Sequence, residues 1–194
     1  MENGTSGGGG GELQVMKTPS GLKFIDLVSG TGISPKYGNL CSIQYTGYIK
    51  LAKTIRDPNP QPIVFDKVTD GYVLKHGNGR LVPGLDEGIH TMKVGGVRRL
   101  LIPPKLGYID VGLGPVPQYP WQRYRLNKLL DEMVAIGAGT IIFEVTLLNV
   151  IDDEADQGYY TDDSLTPEEF NTLRENLRIK GLQQRQENEV NTTT

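Results

Sequence analysis

Between Thr140 and Ile151 the apolar residues Ile141, Phe143, Val145 and Leu147 recur at every second position. A strand repeats every two residues, so these four side chains share one face, and that face has to be buried. The chain therefore needs a sheet with a covered side. Other segments supply its neighbours. Thr18-Pro19-Ser20-Gly21 marks a turn before a strand over Leu22 to Val28, which Ser29-Gly30-Thr31-Gly32 ends. Leu40 to Gly47 reads as a strand with Cys41, Ile43 and Tyr45 on one face. Val97 to Ile102 is a strand stopped by Pro103-Pro104, and Gly71 to Lys75 is a weak one. Prolines at 58, 60 and 62 make Tyr48 to Pro62 a loop or flap rather than a sheet interior.

Helical signals are few and specific. Pro83-Gly84 opens a short helix running to about Thr91. In the segment from Ile109 to Gly139, Leu126, Leu129, Leu130 and Met133 fall at i, i+3, i+4 and i+7, one face of a helix that Pro120 would begin. Such a helix either covers the body or acts as a lid or docking element carrying Arg123, Arg125 and Lys128 outward. Near the C-terminus, Thr166-Pro167-Glu168-Glu169 combines an N-cap, a first-turn proline and a capping-box glutamate, starting a helix over about 167–180. Its apolar stripe is only Phe170, Leu173 and Leu177, too little for an isolated helix.

Of the 194 residues, 37% are apolar, enough for one core with polar ends. No stretch approaches the apolar length needed to span a bilayer, which predicts a soluble chain without a transmembrane segment. Residues 1–17 read as a flexible Gly-rich leader or processed end, with Gly7 to Gly11 consecutive and no apolar core of a signal peptide. Cys41 is the single cysteine, so it forms no intrachain disulfide and belongs to no zinc cluster; its setting is that of a small buried hydrophobe. Charge is divided: residues 12–150 carry 16 Lys+Arg against 11 Asp+Glu, net +5, while residues 151–194 carry 4 against 11, net −7. No basic, aromatic-rich face forms, which argues against nucleic acid. The acidic extension over 152–194 folds back on the body or reaches a basic partner.

Five short motifs stand in one order: Tyr45-Thr46-Gly47, Phe65-Asp66, Leu81-Val82-Pro83-Gly84-Leu85-Asp86-Glu87-Gly88 with Met92-Lys93-Val94-Gly95-Gly96 behind it, Gly107-Tyr108, and Phe143-Glu144-Val145. In that register, from about Thr18 to Ile151, the chain resembles the FKBP-type peptidyl-prolyl cis-trans isomerases, or immunophilins. The resemblance implies an α+β fold: a twisted antiparallel sheet wrapped around a short helix, here with an insertion at about 109–139 and a C-terminal helical extension. It implies a substrate-proline pocket between them. Tyr45, Phe65, Tyr72, Leu81, Val82, Leu85 and Phe143 would line it. The Asp66 carboxylate would face the reacting amide, and the Tyr108 hydroxyl would bond the substrate carbonyl.

The chemistry implied is rotation about an amide held planar by resonance, with a barrier of roughly 18–20 kcal/mol. An apolar pocket that strips water from the amide disfavours its charge-separated planar forms, and clamping the proline ring supplies orientation. Nothing in this requires a nucleophile, metal or cofactor, and two histidines and one cysteine offer no triad or ligand spacing. Three departures bear on activity. Leu85 stands where most active members carry a tryptophan, the flap before Phe65 is long, and the segment after Tyr108 would widen, shield or block the entrance.

Other features carry less. Gly77-Asn78-Gly79 has no following Gly-Lys-Ser/Thr and is no phosphate loop. Asp152-Asp153-Glu154-Ala155-Asp156 is solvated chain rather than a metal site, and His76 and His90 are read as ordinary surface or partly buried residues. Tyr159 and Tyr160 suit an interface. The leading expectation is an isomerase acting on proline-containing proteins during folding or assembly. The alternative is a catalytically weak scaffold subunit of a larger complex, such as a photosynthetic one, held through its insertion and through Tyr159, Tyr160, Phe170, Leu173 and Leu177. Burying the last three gains about 1.5–3 kcal/mol each, against roughly 1–2 kcal/mol per ordered backbone residue. The tail is therefore expected to be mobile alone and ordered when bound. The Thr18-Pro19-Ser20-Gly21-Leu22-Lys23 stretch resembles plastid and bacterial FKBPs, implying the chloroplast thylakoid lumen, with the cytoplasm as alternative.

Overall fold

The computed structural model describes residues 14–154 and one further position, the helical Thr172. The expectations for the leader up to residue 13, and for Tyr159, Tyr160, Phe170, Leu173 and Leu177, lie outside the described residues.

Six strands form one antiparallel sheet: β1 (Met16–Lys17), β2 (Lys23–Val28), β3 (Leu40–Leu51), β4 (Ile63–Lys75), β5 (Val97–Ile102) and β6 (Gly139–Ile151), in the order β1-β2-β5-β6-β3-β4. The alternating segment is β6, held between β5 and β3, and Ile141, Phe143, Val145 and Leu147 are all fully buried. Cys41, Ile43 and Tyr45 of β3 face the same core. This is the α+β architecture expected.

Helix α1 (Pro83–His90) lies in the hollow of the sheet and is buried along almost its whole length. Two glycines allow that approach. A Cβ on Gly84 would sit 2.6 Å from Ile102 Cγ2, and one on Gly88 would sit 2.4 Å from Leu100 Cδ2. Burying the helix also buries Asp86 and Glu87, which then need partners. Ser20 Oγ donates to Glu87 at 2.8 Å, and Asp86 meets His76. At the other end Arg98 donates to the Gly88 carbonyl at 2.8 Å and to Asp26 at 2.6 Å, with its guanidinium 4.1 Å above the Phe24 ring. A cation at the last carbonyls complements the helix dipole.

Three expectations change. The flap is shorter, because β3 continues to Leu51 by pairing Tyr48 to Leu51 with Ile142 to Gly139. Only residues 52–62 loop out, and all three prolines lie there. The weak strand read at Gly71 to Lys75 is the end of the longer β4, paired with β3 from Tyr72 to Lys75. Met16–Lys17, at the end of the segment read as leader, pairs with β2. In each case a neighbouring strand supplies hydrogen bonds that local composition does not reveal.

Helix α2 (Pro120–Ile136) starts with Pro120 in its first turn and stops at Gly137, which takes φ +73°. Its stripe faces inward onto β3 and β4: Leu126, Leu129 and Met133 are buried and Leu130 partly so. Arg123, Arg125 and Lys128 are exposed. Two of them are nevertheless engaged: Arg123 Nε donates to the Pro117 carbonyl at 2.6 Å and Arg125 to the Val64 carbonyl at 3.2 Å. Of the two expectations for this helix, covering the body is the one its buried stripe matches. Leu129→Ala should cost about 2–5 kcal/mol by urea denaturation, the range for emptying a buried leucine site. A loss below about 0.5 kcal/mol, the size of a neutral surface change, would mean that α2 is not anchored.

Candidate functional site

Phe65 and Asp66 are adjacent in β4, where a regular strand would send them to opposite faces, yet both are buried beside the same aromatic residues. The register explains it. Gly47 pairs with Asp66 and Tyr48 with Val64, so Phe65 is the extra residue of a bulge that turns both side chains inward. The Phe65 ring then lies over Gly47, where a Cβ would stand 2.4 Å from its Cζ. The Tyr-Thr-Gly motif thus ends in glycine for a reason set by the opposite strand.

Around this bulge the aromatic residues converge edge to face, the favoured arrangement of their quadrupoles. Phe65 and Phe143 have ring centroids 5.8 Å apart, Phe65 and Tyr108 6.3 Å, Tyr45 and Phe143 5.7 Å, and Tyr45 and Tyr72 5.8 Å. Tyr45 Oη donates to Asp66 Oδ2 at 2.6 Å, and the Lys67 amide donates to Oδ1 at 2.9 Å. Leu81, Val82 and Leu85 are buried at the start of α1. The structure therefore brings Tyr45, Phe65, Asp66, Tyr72, Tyr108 and Phe143 together, with the three aliphatic residues in the same continuous core.

The entrance is where sequence reasoning saw least. Beyond the 3-10 turn (Pro104–Leu106), the chain crosses back over the site. The Tyr108 hydroxyl donates to the Pro115 carbonyl at 2.6 Å, and the Val82 amide donates to the Gly114 carbonyl at 2.7 Å. Gly114 and Pro115 are buried. The Gly-Pro dipeptide was the available signal, but nothing local says which donors it will meet.

His90 is partly buried, as expected, but His76 departs from expectation. His76 is fully buried, not a surface residue. Its Nδ1 lies 2.7 Å from Asp86 Oδ1 and its Nε2 2.9 Å from His90 Nδ1, while Tyr37 stacks on the His90 ring at 4.5 Å. Burying the acid of α1 requires a polar partner from the β4–α1 turn, and His76 provides it. The Gly77 amide also donates to Asp86, so Gly77-Asn78-Gly79 forms part of that turn.

Burial sets the titration of the site and its surroundings. The Tyr45 and Tyr108 hydroxyls are raised well above the ordinary tyrosine value, by burial first and then by the negative charge and hydrogen bonding of Asp66 at Tyr45 and its charge at Tyr108. Burial, with the Asp86 charge added, pushes the Cys41 thiol up to about 12 from an ordinary 9.0. His90 is lowered from 6.5, by burial first and then by neighbouring His76. The acids with raised values favour the folded state below their unfolded values, and that advantage is lost once the unfolded chain ionises. The lowered base favours folding above its unfolded value and loses that contribution as pH falls. Stability to urea should therefore be greatest between about pH 6.5 and 9 and decline on both sides. A midpoint unchanged up to about pH 10.5 would contradict the burial of these hydroxyls, for which the ordinary value is about 10.

A buried aromatic cluster at a β-bulge, beside a short helix held inside an antiparallel sheet, is the arrangement this fold presents. The family model for FKBP-type peptidyl-prolyl cis-trans isomerase matches residues 32–148, more than half of the chain, so this protein belongs to that family. Among its relatives, "Peptidyl-prolyl cis-trans isomerase FKBP17-1, chloroplastic" of Arabidopsis thaliana is 29% identical over 143 residues, covering 66% of this chain and 59% of the relative. "FK506-binding protein 4" of Dictyostelium discoideum is 38% identical over 101 residues, covering 52% of this chain and 25% of the relative. Further Arabidopsis thaliana relatives also carry the designation chloroplastic. The chain thus spans less than two thirds of the length of these relatives. A similar solved structure is FkpA from Escherichia coli, with TM-score 0.45 and 23% identity, covering 71% of this chain and 52% of that one.

Proposed function

We propose that this protein is a peptidyl-prolyl cis-trans isomerase that binds X-Pro segments of other proteins in the pocket of Tyr45, Phe65, Tyr72, Leu81, Val82, Leu85 and Phe143. The observation that carries this reading is the convergence of two donors, the Val82 amide and the Tyr108 hydroxyl, on one aromatic-walled site. A substrate prolyl peptide offers a carbonyl to each. The apolar walls withdraw water from the amide, which raises the energy of its charge-separated planar forms relative to the twisted one. Fixing the proline leaves the preceding carbonyl to swing. Asp66, held by Tyr45 and by its bulge, presents a fixed negative charge beside that amide. Leu85 keeps the floor apolar without a flat ring. Rotation of the amide itself draws on no cofactor.

The names of the plant relatives support a plastid location for this chain, and the motif at Thr18 to Lys23 supports the thylakoid lumen within it. The folding and assembly of partner proteins is the role that fits an X-Pro binding site. Tyr119 and Trp121, exposed and stacked at 4.6 Å at the start of α2, favour an additional partner-binding role for the insertion. The acidic tail is a second candidate for a partner-binding role.

Isomerisation of a tetrapeptide p-nitroanilide with Leu-Pro at its centre tests the activity on the full chain. Asp66→Asn keeps the shape of the site and should lower kcat about a hundred-fold, the lower side of what removing one preorganised electrostatic group costs, with the urea midpoint measured alongside. No acceleration at millimolar peptide, from a folded wild-type chain, would leave only the binding role.

A further inference from the structure

The donors that would receive a substrate already hold part of the chain. Three short hydrogen bonds fix one dipeptide across the site: Val82 N–H to the Gly114 carbonyl at 2.7 Å, Gly114 N–H to the Arg80 carbonyl at 2.7 Å, and Tyr108 Oη to the Pro115 carbonyl at 2.6 Å. Gly114 also makes a parallel bridge with Leu81. It lies against the pocket wall so closely that a Cβ would stand 2.8 Å from Tyr72 Oη. Resting on the isomerase reading, we infer that the strap Leu113–Val116, sequence Leu-Gly-Pro-Val, is a built-in occupant of the X-Pro groove and lowers the site's apparent affinity for substrate by competing with it.

Two features separate an occupant from a fixed wall. The dipeptide matches what the site is built to bind, an X-Pro backbone offering one carbonyl to each donor. A permanent wall would need only apolar surface there. Outside those bonds Leu113 packs partly on the core and Pro117 is buried, but the flanks of the strap are exposed. Residues 109–112 before it and 118–119 after it are exposed, with Val111 fully so. Gly112, at φ +87° with nothing within 4 Å of where a Cβ would stand, leaves that end room to swing. Exposed flanks of this kind open at lower cost than buried chain, so the three bonds and the burial of Gly114 and Pro115 are what opening must give up. On the other side, Arg123 ties the Pro117 carbonyl to α2, so the strap swings from the helix rather than drifting away.

The consequence is quantitative. A tethered occupant acts at an effective concentration in the millimolar range. If it fills the groove about 90–99% of the time, the apparent Kd for substrate rises about 10–100-fold over that of the open site. An occupant competes only before substrate binds, so it raises KM and leaves kcat unchanged.

Two variants of the full chain displace the strap by different means. Gly114→Val places a branched carbon against Tyr72, and Pro115→Asp puts a charge into a buried apolar position. Each should lower KM for the Leu-Pro tetrapeptide about 10–100-fold with kcat within about two-fold, near-UV circular dichroism reporting retained folding. A folded variant with unchanged or higher KM would overturn the inference and make the strap part of the working pocket. Tighter peptide binding in the variants, seen by Trp and Tyr fluorescence, without turnover would uphold the occupant and sink the isomerase reading instead. Failure of folded variants to bind the peptide at all would overturn the occupant. Should neither variant fold, the wild-type chain decides: saturating tetrapeptide should speed hydrogen exchange of the Gly114 amide at least about ten-fold, because its bond to Arg80 is broken. A Gly114 amide that stays protected while peptide is bound would overturn the inference.

Discussion

The structure depends on burying a helix that is not apolar. Helix α1 carries Asp86 and Glu87 into the hollow of the sheet, and the cost of removing two acidic side chains from water must be met locally. Ser20 answers Glu87, the Gly77 amide and His76 answer Asp86, and Arg98 closes the far end of the helix. These partners come from before β2, from the β4–α1 turn and from β5. The polar ties around α1 therefore also fix how the sheet closes on it, and the same placement delivers Leu81, Val82 and Leu85 to the pocket.

From that anchor the site follows by geometry. The bulge at Phe65 turns two consecutive side chains inward, and Gly47 leaves the space the ring requires. Phe143 arrives on β6, whose place between β3 and β5 is dictated by its own alternating face. Asp66 is then a carboxylate in an aromatic setting with both oxygens engaged, one by Tyr45 and one by the Lys67 amide. Such groups are held in orientation rather than left to sample solvent, which suits a reaction that depends on positioning.

The insertion gives this family member its own character. Its helix packs its apolar stripe on β3 and β4 while presenting Tyr119, Trp121 and Tyr124 outward. The segment leading to it is laid across the entrance of the pocket. Strap and helix are joined where Arg123 donates to the Pro117 carbonyl, so the inferred occupancy of the site is tied to the packing of α2.

Much of this was legible in the sequence because it is local. Alternation announced β6 and the buried face of β3. Proline and glycine punctuation set the start of α1, the stop after β5 and the first turn of α2, and the i, i+3, i+4, i+7 stripe named the residues α2 buries. The motif order identified the family. What the sequence left open is what depends on pairing between distant segments. Tyr48 to Leu51 became strand, and the weak strand at Gly71 to Lys75 became the end of a longer one, because partners across the sheet supplied hydrogen bonds. His76 is a core residue only because Asp86, ten positions later, is buried beside it. Gly114-Pro115 is one unremarked step of the insertion until the fold sets it against Val82 and Tyr108. Periodicity and backbone restriction are written in neighbouring residues. The satisfaction of a buried donor or acid depends on whatever the rest of the chain brings within about 3 Å, the reach of a hydrogen bond, and only the tertiary structure decides that.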